Sequence, residues 1–143
     1  MPLRLEIVTP EKLAYSDLVD EVSVPGSDGE LGILPHHAPL ISTLGMGELR
    51  IRKGGLVESF AIIGGFVQVR PDKVVVMAET ADLAAEIDLE KAREARRAAE
   101  RTLETGGISE AVDLATARAA LQAALLRIRV AERRHREGPR HRG

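Results

Sequence analysis

Glu48-Leu49-Arg50-Ile51-Arg52-Lys53-Gly54-Gly55-Leu56-Val57-Glu58-Ser59-Phe60-Ala61-Ile62-Ile63 decides the architecture of the first half of the chain. Leu49 and Ile51 alternate with Glu48, Arg50 and Arg52, a period of two that gives a strand one dry and one wet face. Gly54-Gly55 supplies the positive-φ pair of a tight hairpin, and the apolar run after it reads as the returning strand. The same grammar extends to both sides. Leu3, Leu5 and Ile7 alternate with Arg4 and Glu6. Val22 and Val24 precede Pro25-Gly26, Leu31 to Leu34 precede Pro35, and Pro71-Asp72 turns the chain before Val74-Val75-Val76-Met77. Eight to ten short strands in about 80 residues predict a small antiparallel β-sandwich or barrel.

The composition breaks near residue 80. Residues 1–80 hold nine of the 13 glycines, six of the seven prolines, and all three aromatics, Tyr15, Phe60 and Phe66. Residues 81–131 hold 15 alanines and no proline. Charge divides too, with net −5 over residues 1–85 and net +3 over residues 86–143. Asp88 fits an N-cap, with Glu90 in the first turn where the helix dipole favours an anion. Leu89, Ala92, Arg96, Ala99 and Leu103 then follow a three-four spacing. Gly106-Gly107 is a stop signal, and Ser109 fits the cap of a second helix running to about Arg136. Its expected apolar stripe is Leu114, Ala117, Leu121, Leu125 and Ile128. The expected fold is therefore α+β: an antiparallel β-sandwich of about ten strands over residues 1–85, an antiparallel helical hairpin over 86–137, and a flexible tail over 138–143. An alanine seam buries few methylenes, so the hairpin is expected to hold the sandwich weakly and to act as a two-state arm.

The composition also excludes several chemistries. With no cysteine among 143 residues, there is no disulfide framework, thiolate nucleophile or Cys-ligated metal. A net charge of −2 argues against a dedicated nucleic-acid coat. The longest apolar stretch, Phe60 to Val67, is too short to span a bilayer, and the N-terminus lacks a signal-peptide core, so a cytoplasmic location is expected. No nucleophile elbow, zinc-binding helix or phosphate loop is present, which points away from an enzyme. His36-His37 are adjacent between two prolines and read as solvated or interface histidines rather than a metal pair. The spacing of Gly26, Gly29 and Gly32 leads to no helix and reads as turn chemistry. The arginines of the helical half suit an acidic partner surface. A nucleic-acid-binding adaptor using the basic hairpin is the alternative, weakened by the lack of aromatics on the arm.

Ser23-Val24-Pro25-Gly26-Ser27-Asp28-Gly29-Glu30-Leu31-Gly32-Ile33-Leu34-Pro35-His36-His37-Ala38-Pro39-Leu40 resembles the signature loop of the ATP synthase epsilon subunit. Gly64-Gly65-Phe66-Val67-Gln68-Val69 is similar to that family's second mark, and Leu5 to Pro10 and the Ala-rich hairpin match in position. The resemblance implies a non-catalytic rotor subunit of a proton-translocating ATP synthase, peripheral on the cytoplasmic side of the cell inner membrane. It implies contact with the gamma subunit, the c-ring and the alpha/beta catalytic head, with the membrane touched only through the complex and no nucleic-acid partner. Asp28, Glu30 and His37 would face the c-ring, and Arg118, Arg127 and Arg129 an acidic partner of the arm. The family's C-terminal helices inhibit ATP hydrolysis. His36 departs from the family, which usually has glycine there, and is expected to be tolerated if the backbone does not need positive φ.

Some epsilon subunits bind ATP on the folded hairpin through an Ile/Leu-Asp-x-x-Arg-Ala motif. The corresponding residues here are Ile87, Asp88, Lys91 and Ala92, with Arg127 on the second helix. Lysine keeps the charge but loses the planar fork, and Ala98 and Ala123 stand where further phosphate-facing arginines are usual. No cofactor is required on this reading, and ATP, as a regulatory ligand, is expected to bind weakly or not at all.

Overall fold

The computed structural model describes residues 2–105, 111–137 and 140–141. Eight strands come first: β1 (Leu3–Val8), β2 (Leu13–Val19), β3 (Glu21–Gly26), β4 (Gly29–Ile33), β5 (Leu40–Thr43), β6 (Met46–Lys53), β7 (Leu56–Val69) and β8 (Lys73–Leu83). They hydrogen-bond in the order β2-β1-β8-β7-β6-β3-β4, with β5 also on β7. This one continuous sheet folds over itself as a sandwich. The alternating residues meet inside it: Leu3, Leu5, Ile7, Val22, Val24, Leu49, Ile51, Val74 and Val76 are all buried. Tyr15 and Phe60 pack edge to face, with ring centroids 6.0 Å apart.

β7 runs 14 residues because it serves both layers. Its opening residues pair with β6 in the Lys53↔Leu56 register set by the Gly54-Gly55 turn, and its last residues pair with β5. The change falls at Gly64 and Gly65, at φ +65° and +110°. A Cβ on Gly65 would lie 1.9 Å from the Met77 carbonyl oxygen, so the neighbouring strand passes where any side chain would stand.

One pairing departs from the antiparallel expectation. β1 and β8 run parallel, with Leu5 opposite Val74 and Ile7 opposite Val76. Most of the sandwich lies between these strands in sequence, so no hairpin dictates their direction.

After a 3-10 turn at Ala84–Glu86 come α1 (Leu89–Glu104) and α2 (Ala111–Glu137). Asp88 caps α1, its Oδ1 accepting the Lys91 N–H at 3.1 Å. The expected seam of α1 is in place: Ala92 and Ala99 are buried, and Leu89, Arg96 and Leu103 are half-buried. The stripe of α2 needs correcting, because Leu125 is exposed while Ala124 and Leu126 are buried. This helix has two covered sides. Ala117, Ala124, Ile128 and Ala131 follow the three-four spacing of a helix–helix seam, whereas Leu126 and Val130 rest with Ala61 and Ala84 on the sandwich. A single-stripe reading puts such a helix out of register.

The expected stop at Gly106-Gly107 and cap at Ser109 lie outside the described residues. The tail expected to be flexible includes β9 (Arg140–His141), whose backbone pairs with Val57 and Leu56; the rest of residues 138–143 lies outside the described residues.

Candidate functional site

Where α1 leaves the sandwich, it forms with β8 and α2 a cleft of about 240 Å³. All five residues of the expected nucleotide site, Ile87, Asp88, Lys91, Ala92 and Arg127, line it, although 35 residues separate Ala92 from Arg127. Asp82, Glu86, Ala95 and Ala124 complete the wall and were not legible in the sequence. The charges are mixed, three carboxylates against two cations. Arg127 Nε donates to Asp82 Oδ2 at 2.8 Å, and the Asp88 carboxylate is engaged by the helix cap. An incoming phosphate would compete with Asp82 for Arg127 and meet Glu86 and Asp88 nearby. The alanines offer no further donor.

Asp28, Glu30 and His37 are not gathered into one cluster. Asp28 lies at the tip of the β3–β4 hairpin, where Gly26 pairs with Gly29. Glu30 Oε1 accepts the Ser23 hydroxyl at 2.5 Å, and the His37 Nδ1–H donates to the Ala38 carbonyl at 2.8 Å, with Nε2 making no hydrogen bond among the described residues. The three share no hydrogen bond or ion pair among the described residues, so each is presented separately.

His36 breaks the condition set for it in the sequence. Its φ is +67°, the left-handed region, and it is the only non-glycine residue at positive φ among the described residues. The cause is local: the His37 N–H donates to the Leu34 carbonyl at 3.2 Å, closing a four-residue turn with Pro35 second and His36 third. Proline in the second place and positive φ in the third define a type II turn, whose third position favours glycine. A bond from His36 N–H to the Pro71 carbonyl, 2.7 Å, holds the strained residue in place.

The three arginines assigned to the arm separate by direction. Arg118 and Arg129 are exposed on the outer face of α2, eleven residues and therefore about three turns apart. Arg127 faces inward to Asp82. Arg93 cross-links the helices, with 3.1 Å to Glu132, and the Glu132 carboxylate followed by that of Glu90 raises its guanidinium pKa further. Among the described residues no group of three His, Asp or Glu side chains is arranged to hold a metal, and no helix is long and apolar enough to cross a membrane.

Residues 2–84 match the family described as ATP synthase, Delta/Epsilon chain, beta-sandwich domain, and residues 85–132 match its long alpha-helix domain. An ATP synthase epsilon chain from Desulforamulus reducens is 48% identical over 129 residues, covering 90% of this chain and 96% of that one. One from Herpetosiphon aurantiacus is 45% identical over 138 residues, covering 96% and 100%. Among solved structures, a chain of the Euglena gracilis mitochondrial ATP synthase OSCP/F1/c-ring assembly superposes with a TM-score of 0.74 at 22% identity, over 87% of this chain and 78% of that one. A chain of the Tetrahymena thermophila central stalk and c-ring gives 0.59 at 15% identity, over 92% and 97%. Two adjoining family matches, a sandwich followed by a helical hairpin, and near-half identity to epsilon chains along almost the whole length leave one conclusion: the chain belongs to the ATP synthase delta/epsilon chain family.

Proposed function

We propose that this subunit couples ion flow to ATP synthesis by seating its sandwich on the gamma subunit and the c-ring, and that its hairpin is a detachable brake on ATP hydrolysis by the alpha/beta head. In this reading it lies on the cytoplasmic side of the inner membrane and reaches the bilayer only through the complex. The observation that carries the proposal is the separation of two apolar clusters. The sandwich core runs from Leu3 to Ala78 without any helical residue, and the hairpin rests on a second, smaller cluster of Ala61, Ala84, Leu126 and Val130, with Ile63 and Ile87 packed against it. A domain whose core is complete without the arm can keep its partners while the arm moves.

The docking faces follow from exposure. Ile41 (71% exposed), Phe66 (51%) and Met77 form an apolar outer surface on β5, β7 and β8, with Phe66 directly opposite Met77, and suit a permanent partner such as gamma. Asp28, Glu30 and His37 offer separate polar contacts to the c-ring loops. Arg118 and Arg129, already exposed on the folded hairpin, meet an acidic surface of the head when the arm is released, and Arg127 joins them after leaving Asp82. Chain truncated after Glu86 is expected to assemble with gamma and to raise ATP hydrolysis by the complex. Unchanged hydrolysis would remove the brake, and failure to bind gamma at any salt concentration would remove the platform.

A second reading is favoured by the cleft itself, which gathers every residue of the expected nucleotide motif. ATP would bind there weakly, because Asp82 occupies Arg127 and carboxylates outnumber cations. Calorimetry should find no micromolar binding; finding it would overturn the electrostatic argument.

A further inference from the structure

Beyond residue 132, where the match to the helical domain ends, the chain makes two further contacts with the sandwich. Arg133, on the last two turns of α2, donates through Nη2 to Glu48 Oε1 at the start of β6. The Glu48 side chain is only 10% exposed and that of Arg133 29%, the most covered of the ion pairs among the described residues. Glu48 stands opposite Ala61, and Ala61 belongs to the seat under Leu126 and Val130. Seven residues after Arg133 the backbone of Arg140–His141 pairs with Val57 and Leu56. Among the described residues that edge of β7 has no other strand, since β8 leaves it at Phe60.

We propose that these two contacts form a clasp at the C-terminal end of α2, and that the clasp, rather than the apolar seat alone, sets how often the arm lets go. The inference rests on the reading of the hairpin as a detachable arm. The seat is small, with Ala61, Ala84, Leu126 and Val130 buried and Ile63 and Ile87 half-buried against them, far less apolar surface than the sandwich core holds. The ion pair is asymmetric in its demands. Docked α2 covers Glu48, so a carboxylate without Arg133 would be shut away from water and unpaired, whereas an undocked helix lets water reach it. Lifting the helix is the easiest relief. The edge strand acts on the same end, because the backbone groups of Leu56 and Val57 bond either to β9 or to water. α1 is tethered covalently through residues 84–88, and Arg93 holds Glu132 beside that tether, so the clasp at Arg133 fixes the part of α2 that would otherwise leave the sandwich as the hairpin swings about residues 84–88.

Hydrogen exchange on the full chain tests this. Amides of Leu126–Ala131 report the arm, and those of Val74–Ala78 report global opening of the sandwich in the same sample. Arg133→Gln should speed exchange in the arm about tenfold while the sandwich changes less than about twofold. Glu48→Gln/Arg133→Gln should open less than the two single variants combined, since neither charge is then left behind. A stop after Glu137 should also quicken the arm alone. If the arm exchanges apart from the sandwich but ignores all three changes, the clasp is wrong and the detachable arm stands. If arm and sandwich exchange together in every variant, both ideas fall.

Discussion

Replacing His36 by glycine should stabilise the protein, which is unusual for removing a side chain. A left-handed residue bearing a Cβ is disfavoured by about 1–2 kcal/mol, and glycine escapes that at an entropic disadvantage of about 0.5–1 kcal/mol. The imidazole is exposed and makes no hydrogen bond among the described residues, so little packing is lost. The balance favours glycine by about 0.5–1 kcal/mol. For a sandwich of this size that raises the melting temperature by roughly 3–6 °C. Urea unfolding of His36→Gly, His36→Ala and the parent separates the causes. Alanine keeps the Cβ and should match the parent within about 0.5 kcal/mol; the slopes should be unchanged. A glycine variant no more stable than the alanine variant would refute the strain. His36→Val, β-branched, should fall below both.

Other expectations follow from the same geometry. Gly65→Ala should destabilise the sandwich by about 3 kcal/mol or prevent folding, because both its positive φ and the Met77 carbonyl forbid a Cβ; denaturant midpoints check this. The Tyr15 hydroxyl has its pKa pushed up to about 12 by burial, then by the charges of Asp17 and Glu58. An acid raised in the folded state favours unfolding as it ionises, so thermal stability should decline from pH 10 to 12, and Tyr15→Phe should flatten that decline. Arg118→Glu with Arg129→Glu should leave the isolated chain as stable as the parent and weaken inhibition of hydrolysis in the complex by at least several-fold, measured by ATPase assay.

The sandwich was legible because alternation and turn residues are local signals. Gly54-Gly55 and the flanking strands appear where the pattern places them, and so does the α1 seam, because one covered side leaves one stripe. What was misread depends on distant chain. The parallel β1–β8 pair joins strands about 70 residues apart, and α2 has two neighbours, which moved its buried positions from Leu125 to Ala124 and Leu126. The nucleotide motif was visible as residues and appears as one cleft, but Asp82, which occupies Arg127, gave no sign in a sequence where 45 positions separate the two. His36 was flagged by its departure from the family, and the Leu34–His37 turn supplies the reason glycine is usual there.

The unbroken sheet has a mechanical consequence. Force entering at the outer edge and leaving through another strand loads many backbone bonds side by side, so all must stretch before any yields. α2 is attached in the opposite manner, by a row of contacts that give way in succession once an end is lifted. The same small molecule thus joins a sheet that shares its load with a helix that can be peeled away one contact at a time.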